Sequence, residues 1–457
     1  MRLATRRVGI VLALMLPLAG CGPAEIGPAP SEGTAAKPWA RRLSPQEARA
    51  MGDTGALLPF LTALEALETG QYREPVSVIQ IGDSHTFSDF FSGRMRELLQ
   101  QRFGGAGRGL LPPGVAGRYY RPELVEVSET DGWQRLSSFA HDAAGSFGIA
   151  GIVQRTDKAG QSMTLTSKEE GGFDRAYMEL LRQPGGGTLR VQVDGAPPRQ
   201  VATAASAPST EWIEFDTPPH SRSLTVTADG NGPVELLAWG AERRQPGILY
   251  GNFGIVGATE GVIGHWDRGV VADELRRRSP ALIIVAFGTN EGFAPQIDPQ
   301  AYARRFTEHV SELARTAPQA AIVIVGPPDA ERRYRAAAGT APGCRAEPPP
   351  ALPPALPVRH RRGVRQPAYQ TVWAAPPNLA VVRAVQRQVA EEQGWYFWDW
   401  SAAMGGPCAM YRWAAQDPPL GGEDHVHQRI AGYRLSAERL FEALMAEYQR
   451  YRSRPTS

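Results

Sequence analysis

The sequence predicts an α/β fold: a three-layer α/β/α domain with a parallel sheet, interrupted by an all-β sandwich insert. Apolar, β-branched runs alternate with helical patterns, which is the order that parallel strands and their crossover helices require. The apolar runs span 76–81, 281–287 and 321–325, and the helical patterns span 84–101 and 299–316. The insert is predicted at 122–245, because short alternating runs are separated there by Gly-rich turns and helix signals are few.

The insert divides the α/β domain into a first part at 44–121 and a second part at 246–457. In the first part, Ser44 and Glu47 have the spacing of a capping box, and leucines at helical spacing follow them. The leucines that predict this helix are Leu57, Leu61, Leu64 and Leu67. In the second part, 342–377 is rich in Pro and Arg, which predicts an irregular exposed excursion.

Residues 1–21 are predicted to be a lipoprotein signal peptide. Three arginines precede an apolar run at 8–18 that is too short to span a bilayer. The Leu-Ala-Gly-Cys that follows resembles a bacterial lipobox, which implies that Cys21 anchors an exported protein on the periplasmic face of a membrane. The alternative is a simple cleaved signal in which Cys21 is incidental. Pro, Ala, Gly and Ser without apolar periodicity predict a flexible tether at 22–43.

The composition argues against two classes of protein. A hydrophobic content of 42%, a charged content of 21% and a net charge of +2 fit neither a disordered chain nor a strongly basic nucleic-acid binder. No Cys/His spacing resembles a zinc site, so no metal is expected. With Cys21 assigned to the lipid, Cys344 and Cys408 remain, either as one disulfide or as two buried thiols.

Ser84 is the first candidate for a catalytic residue. It follows the first predicted strand and opens a helix, so its hydroxyl lies at the carboxyl edge of the sheet, where open α/β sheets bind ligands. The amino terminus of that helix adds free N–H groups and a positive dipole beside a developing oxyanion. The alternative is an ordinary helix N-cap, because Ser and Asp are common at such turns.

A serine nucleophile needs a base, and Asp424-His425-Val426-His427 offers one. Residues three apart on a turn share a face, so Asp424 can orient the ring of His427 while His427 takes the proton of Ser84. His425 is the competing base, but the Asp-x-x-His spacing favours His427. A polar first turn of the last helix is the alternative for both Asp424 and His427.

Two further segments offer donors for an oxyanion. Asn290 follows an apolar strand in Gly288-Thr289-Asn290, and its side-chain amide can donate to a tetrahedral intermediate. Gly257 lies in a glycine-rich segment, where the missing Cβ lets a backbone N–H approach the same oxygen. Turn formation is the alternative for Asn290.

These segments together resemble a known family. Gly82-Asp83-Ser84, Gly257, Gly288-Thr289-Asn290 and the pair Asp424 and His427 follow the order of the four sequence blocks of the SGNH/GDSL hydrolase superfamily. The resemblance implies a flavodoxin-like α/β/α domain that uses no cofactor. It also implies that Ser84 is the nucleophile and first oxyanion donor, with Gly257 and Asn290 as the other donors. Asp424 and His427 would complete the triad.

One departure from the commonest pattern narrows the resemblance. His85 replaces the usual Leu, and Gly-Asp-Ser-His-Thr followed by a β insert resembles the branch that contains peptidoglycan O-acetylesterases. In those esterases the insert resembles a carbohydrate-binding module. This implies removal of O-acetyl groups from a cell-envelope polysaccharide, with peptidoglycan as the expected substrate. The alternatives are an O-acetyltransferase with the same triad, a lipid esterase or thioesterase, and an inactive polysaccharide-binding lipoprotein.

Two side chains are candidates for lining the substrate cleft. His85 can line the acyl pocket, although a structural hydrogen bond explains it equally well. Trp413 comes shortly before Asp424 and is the second candidate. The aromatic run at 395–400 is interpreted instead as a strand with rings facing the core.

Overall fold

The computed structural model of the protein describes residues 37–140, 145–337, 343–344 and 369–454. The described residues from Pro38 to Arg454 belong to one compact unit. The predicted signal peptide with Cys21 and most of the Pro/Arg-rich excursion lie outside the described residues. In the described part of the chain, no helix has the length and apolar character needed to cross a membrane.

The described residues form the following elements. The helices are α1 Pro45–Met51, α2 Asp53–Ala56, α3 Leu58–Glu68, α4 Ser84–Phe87, α5 Phe90–Phe103, α6 Arg268–Arg278, α7 Thr289–Phe293, α8 Pro299–Thr316, α9 Pro377–Gln393, α10 Trp400–Met404, α11 Ala409–Ala415 and α12 Ile430–Arg452, with a 3-10 helix at Glu260–His265. The strands are β1 Pro75–Gly82, β2 Gly107–Leu111, β3 Val125–Glu129, β4 Gln134–Ser137, β5 Ile152–Thr156, β6 Ser162–Ser167, β7 Phe173–Arg182, β8 Thr188–Val193, β9 Arg199–Ala202, β10 Ser209–Ser221, β11 Ser223–Ala228, β12 Val234–Glu242, β13 Gly247–Gly254, β14 Leu282–Ala286, β15 Ala321–Gly326, β16 Arg332–Ala337, β17 Tyr369–Ala374 and β18 Tyr396–Asp399.

The predicted parallel sheet is confirmed. Its strands follow the order β13-β1-β14-β15-β18, and every neighbouring pair is parallel. One face packs on α3, α5 and α12, and the other packs on α6, α8 and α9. Because both faces are covered, β14 and β15 are buried along their whole length, which explains their unbroken apolar sequences.

The all-β insert is also confirmed. One antiparallel sheet follows the order β10-β7-β12-β5-β4, with β2 paired to β12, and the second follows β3-β6-β11-β8-β9. The two sheets enclose a core of their own. The opposite face of the first sheet contributes Tyr177 and Leu237 to the core beneath the parallel sheet. The central strand β12 is therefore buried on both faces.

The insert begins earlier than predicted. The structure pairs Gly107–Leu111 with β12, from Trp239↔Leu111 to Glu242↔Gly107, so the antiparallel sheet starts before residue 122. A Gly-Arg-Gly-Leu-Leu sequence shows no alternation of its own, and the partner that makes it a strand is distant in sequence. The chain returns to the parallel sheet with β13, which begins at Gly247.

Three other boundaries are corrected. The helix predicted at 84–101 is two helices, because Asp89 has a φ of 62° and interrupts the helical backbone between α4 and α5. The tether predicted at 22–43 ends sooner, since Arg42 Nη1 donates to Ala320 O at 2.8 Å. Part of the excursion at 342–377 is regular, because Tyr369–Ala374 pairs with Arg332–Ala337 as an antiparallel hairpin.

Candidate active site

Ser84 lies at the carboxyl end of β1, as the first residue of α4. The residue that caps this short helix is Asp83, whose carboxylate accepts a hydrogen bond from the backbone N–H of His85 at 3.0 Å. The capping role that was the alternative for Ser84 thus belongs to its neighbour. The Ser84 hydroxyl is left to make a different contact.

That contact is with His427. Ser84 Oγ lies 3.0 Å from His427 Nε2, and His427 Nδ1 lies 2.7 Å from Asp424 Oδ2. The other oxygen of Asp424 accepts from the backbone N–H groups of Val426 and His427, at 3.0 and 2.9 Å. These bonds fix the carboxylate before it orients the ring. The structure therefore brings the three predicted residues into one hydrogen-bonded chain, in the order that a serine nucleophile requires.

The electrostatics of the chain suit a proton acceptor at His427. Its hydrogen bond to Asp424 raises the pKa of His427, although partial burial opposes the shift. Partial burial alone would raise the pKa of Asp424, but the hydrogen bonds from His427 and from the two backbone N–H groups outweigh it and lower that pKa. Asp424 is thus ionised wherever His427 changes charge, so it can stabilise the imidazolium.

The side chain of His425, the competing base, contacts Glu331 and Trp373. Its Nδ1 lies 2.7 Å from Glu331 Oε2, and its ring stacks on Trp373 with centroids 3.8 Å apart. Burial raises the pKa of Glu331 to about 8. The ring of His425 is therefore held by the segment after β15 and by the hairpin strand β17, and it makes no hydrogen bond to Ser84.

The strand order places the two predicted oxyanion donors on either side of Ser84. Since β1 lies between β13 and β14, Gly257 after β13 and Asn290 after β14 flank the turn that carries the serine. Gly257 has a φ of 80°, a conformation that favours glycine. Asn290 Nδ2 donates to Ala258 O at 2.8 Å, which links the two segments and leaves its second N–H for another acceptor.

The two predicted cleft residues have other positions. Trp413 is only 6% exposed and packs in the core that also contains Tyr433, so its ring serves the core and does not line a cleft. His85 is buried beneath the site, and its Nδ1 lies 2.9 Å from the Tyr433 hydroxyl. Burial lowers the pKa of His85 to about 3, so this ring is neutral. The structure favours the structural alternative for His85.

The two remaining cysteines are joined, since Cys344 and Cys408 form a disulfide that ties the hairpin region to the start of α11. Glu331 lies close to both sulfur atoms and completes a grouping of metal-ligating residue types in the described part of the chain. Sulfur atoms in a disulfide are not thiolates, so this grouping does not offer thiolate ligands to a metal.

Asp83 is a site residue for which the sequence suggested only a capping role. Burial raises its pKa to about 7, although the His85 N–H and the Thr289 side chain donate to its carboxyl group. It also lies near enough to His427 to favour the protonated ring. The signal was present in the Gly-Asp-Ser motif itself, where the aspartate precedes the serine.

A buried ion cluster behind Ser84 was not predicted at all. The Asp89 carboxylate accepts from Arg96 Nη2 at 2.6 Å, from Arg108 Nη2 at 3.3 Å and from the Glu123 backbone N–H at 2.9 Å. Both arginines also donate to the carbonyl oxygen of Tyr250 on β13. The cluster joins α5 and β2 to β13, and so fixes two elements that frame the serine turn.

Comparison with known proteins gives a family match over part of the chain. Residues 223–435 match the GDSL-like lipase/acylhydrolase family, a range that contains Gly257, Asn290, Asp424 and His427 but not Ser84. A solved peptidoglycan O-acetylesterase is 26% identical and covers 86% of this chain and 96% of its own, with a TM-score of 0.66. A family two carbohydrate esterase from Clostridium thermocellum is 13% identical and covers 69% of this chain and 99% of its own, with a TM-score of 0.28. No curated protein sequence matches. The chain contains a region that matches the GDSL-like lipase/acylhydrolase family, and it is an ester hydrolase whose α/β/α domain is interrupted by an all-β insert.

Proposed function

We propose that this protein removes O-acetyl groups from a cell-envelope polysaccharide, with peptidoglycan as the substrate, through a Ser84-His427-Asp424 triad. The observation that carries the proposal is the hydrogen-bonded chain of these three residues at the carboxyl edge of the sheet. The likeness to a peptidoglycan O-acetylesterase supports the substrate, because it extends over 86% of this chain and so includes much of the insert.

In this mechanism His427 Nε2 takes the proton of Ser84 as Oγ attacks the acetyl carbonyl carbon. The tetrahedral oxyanion accepts hydrogen bonds from the backbone N–H groups of Ser84 and Gly257 and from Asn290 Nδ2. The imidazolium then protonates the sugar oxygen. The bond between that oxygen and the acetyl carbon breaks, which leaves an acetyl group on Ser84. Water attacks the acyl-enzyme while His427 takes its proton, and His427 returns that proton to Ser84 Oγ as acetate leaves.

We also propose that the protein is exported and held at the periplasmic face of a bacterial membrane by a lipid on Cys21. The lipobox-like sequence before Cys21 supports this proposal. So does the Cys344–Cys408 disulfide, because such bonds persist in oxidising compartments. Metabolic labelling with a radioactive fatty acid tests it, since wild-type protein should carry the label and Cys21→Ala should not.

The substrate is tested by acetate release from O-acetylated peptidoglycan, acetylated alginate and acetylated xylan at equal acetyl concentrations. We expect the highest kcat/KM on peptidoglycan, with Ser84→Ala as the blank. A higher value on alginate or xylan would contradict the peptidoglycan assignment. Acetyl groups that reappear on an added oligosaccharide instead of as free acetate would show an acetyltransferase.

The pH dependence of kcat tests His427 as the base. His427 accepts a proton only when neutral, so kcat should fall as the pH drops through its pKa, which Asp424 raises. Asp424→Asn removes that charge, so the acidic limb should move to lower pH. The same change should lower kcat by about 10²–10⁴-fold, because an amide favours the wrong imidazole tautomer. An acidic limb at the same pH in both proteins would assign it to another group.

A further inference from the structure

A pair of buried carboxyl groups lies next to the proposed oxyanion donors. Glu260 begins the 3-10 helix after the Gly257 segment and is 1% exposed, and Glu291 follows Asn290 in α7 and is 5% exposed. The backbone N–H of Glu260 donates to Glu291 Oε1 at 2.9 Å. The proposed mechanism gives neither carboxyl group a role, although burying two of them is costly.

The hydrogen bond between Glu260 and Glu291 is the second of two links between the segment after β13 and the segment after β14. The first link runs from Asn290 Nδ2 to Ala258 O at 2.8 Å, and the second from Glu260 N to Glu291 Oε1 at 2.9 Å. Gly257 lies on one linked segment and Asn290 on the other. The links therefore set the distance between the two donor groups, and a displacement of about 1 Å in such a group can cost about 10²-fold in rate.

The charges around the pair favour one ionised carboxyl group and one neutral carboxyl group. Burial raises the pKa of Glu291 well above its ordinary value, and the charge of Glu260 adds to the shift. The Arg305 guanidinium on α8 is the cation beside them, with Nε 3.4 Å from Glu260 Oε1. Tyr302 on α8 is the neighbouring titratable group, and burial raises its pKa well above the ordinary value.

The remaining neighbour, α9, contacts α7 and the residues on either side of it through uncharged side chains. Leu379 lies against Gly292 of α7, and the neutral amides of Asn378 and Gln386 donate to the carbonyl oxygens of Ala294 and Phe287, on either side of α7. Among the described residues, Arg305 is the cation that pairs with these two buried carboxyl groups, so a single shared proton satisfies the pair. The acid form of Glu291 can donate to the Glu260 carboxylate and still accept from the Glu260 backbone N–H.

We infer that Glu291 is a positioning residue which, as a neutral acid bonded to the carboxylate and the backbone of Glu260, aligns Gly257 and Asn290 as oxyanion donors. This inference rests on the proposed function. Loss of the proton would leave two carboxylates facing each other in a buried site, and their repulsion would separate the two segments. Since Glu291 holds the proton below its raised pKa and loses it above, kcat should fall as the pH rises.

The test is the pH profile of kcat on an acetyl chromogenic ester, using the full chain with Ser84→Ala as the blank for spontaneous hydrolysis. Glu291→Gln carries a permanent donor and acceptor, so its kcat should lack the alkaline fall that the wild type shows. Glu291→Ala should lower kcat by about 10-fold or more, with KM changed less than kcat, because donor alignment acts on the transition state. Glu291→Gln should recover most of the kcat that Glu291→Ala loses.

The matched control is Glu274→Gln, which alters a second buried carboxyl pair that α6 forms with Glu179 of the insert. Neither residue of that pair hydrogen-bonds to the segments of Gly257 or Asn290. The kcat and the pH profile of Glu274→Gln should therefore match those of the wild type. An alkaline fall in Glu291→Gln at the wild-type pH would overturn the inference, even where Glu291→Ala does not fold. Equal rates for wild type and Ser84→Ala would instead overturn the proposed function. Activity that depends on Ser84 but not on Glu291 overturns only the positioning role.

Discussion

Replacement of Ser84 by Ala is expected to lower kcat for an acetyl ester by about 10⁴–10⁶-fold, with little change in KM. The hydroxyl is the group that forms the acyl-enzyme, and neither His427 nor Asp424 can replace it. The loss should approach that of the triple variant of Ser84, His427 and Asp424, because the three side chains act as one unit. Initial rates with a chromogenic acetyl ester measure the effect.

Ser88→Ala is the matched control for this prediction. Ser88 follows the same short helix, and its buried hydroxyl has no hydrogen-bond partner among the described residues. Its loss should leave kcat within about 3-fold of the wild type, because it removes no bond from the site. Equal kcat values for Ser84→Ala and wild type would remove Ser84 from the mechanism.

The second large effect concerns stability. Asp89→Ala is expected to lower the free energy of unfolding by about 3–5 kcal/mol, because it leaves Arg96 and Arg108 buried without their shared anion. The lost carboxylate also accepts from the Ser92 hydroxyl and the Glu123 backbone N–H. Urea denaturation followed by circular dichroism measures the change.

Glu97→Ala on α5, the helix that follows Asp89, provides the comparison. Glu97 forms ion pairs with Arg94 and Arg434, and all three side chains are at least 19% exposed. Surface pairs of this kind contribute about 0–1 kcal/mol, so the variant should unfold close to the wild-type urea midpoint. Similar losses for Asp89→Ala and Glu97→Ala would show that the buried cluster is not a major source of stability.

The three residues proposed for catalysis could be found from sequence because each lies on a locally recognisable turn. Ser84 ends an apolar strand and begins a helix, and the Asp-x-x-His spacing of Asp424 and His427 puts both on one face of a loop. Parallel strands bring their carboxyl ends to one edge, so the pieces could be expected to meet there. The structure places Ser84 Oγ and His427 Nε2 at 3.0 Å.

The buried charges could not be predicted, because their partners are distant in sequence. Arg96 and Arg108 have the sequence context of surface cations, and only the pairing of β2 and β13 with their neighbours buries them around Asp89. Glu260 and Glu291 belong to separate strand-end segments, and neither has a periodicity that marks it as buried. Burial of a polar residue depends on tertiary packing that no local pattern encodes.

The position of the insert sheet between two cores has a consequence for folding. β1 pairs with β13 along its whole length, although the entire insert separates these strands in sequence. Pairing of this kind forms slowly, because a long chain must be closed before the contact is made. The sheet that carries Ser84 is complete only when β13 has paired with β1 across the insert, and Tyr177 and Leu237 of the insert pack in the core beneath that sheet. Excision of the insert would therefore be expected to expose an apolar face of the hydrolase domain, because Tyr177 and Leu237 would no longer cover it.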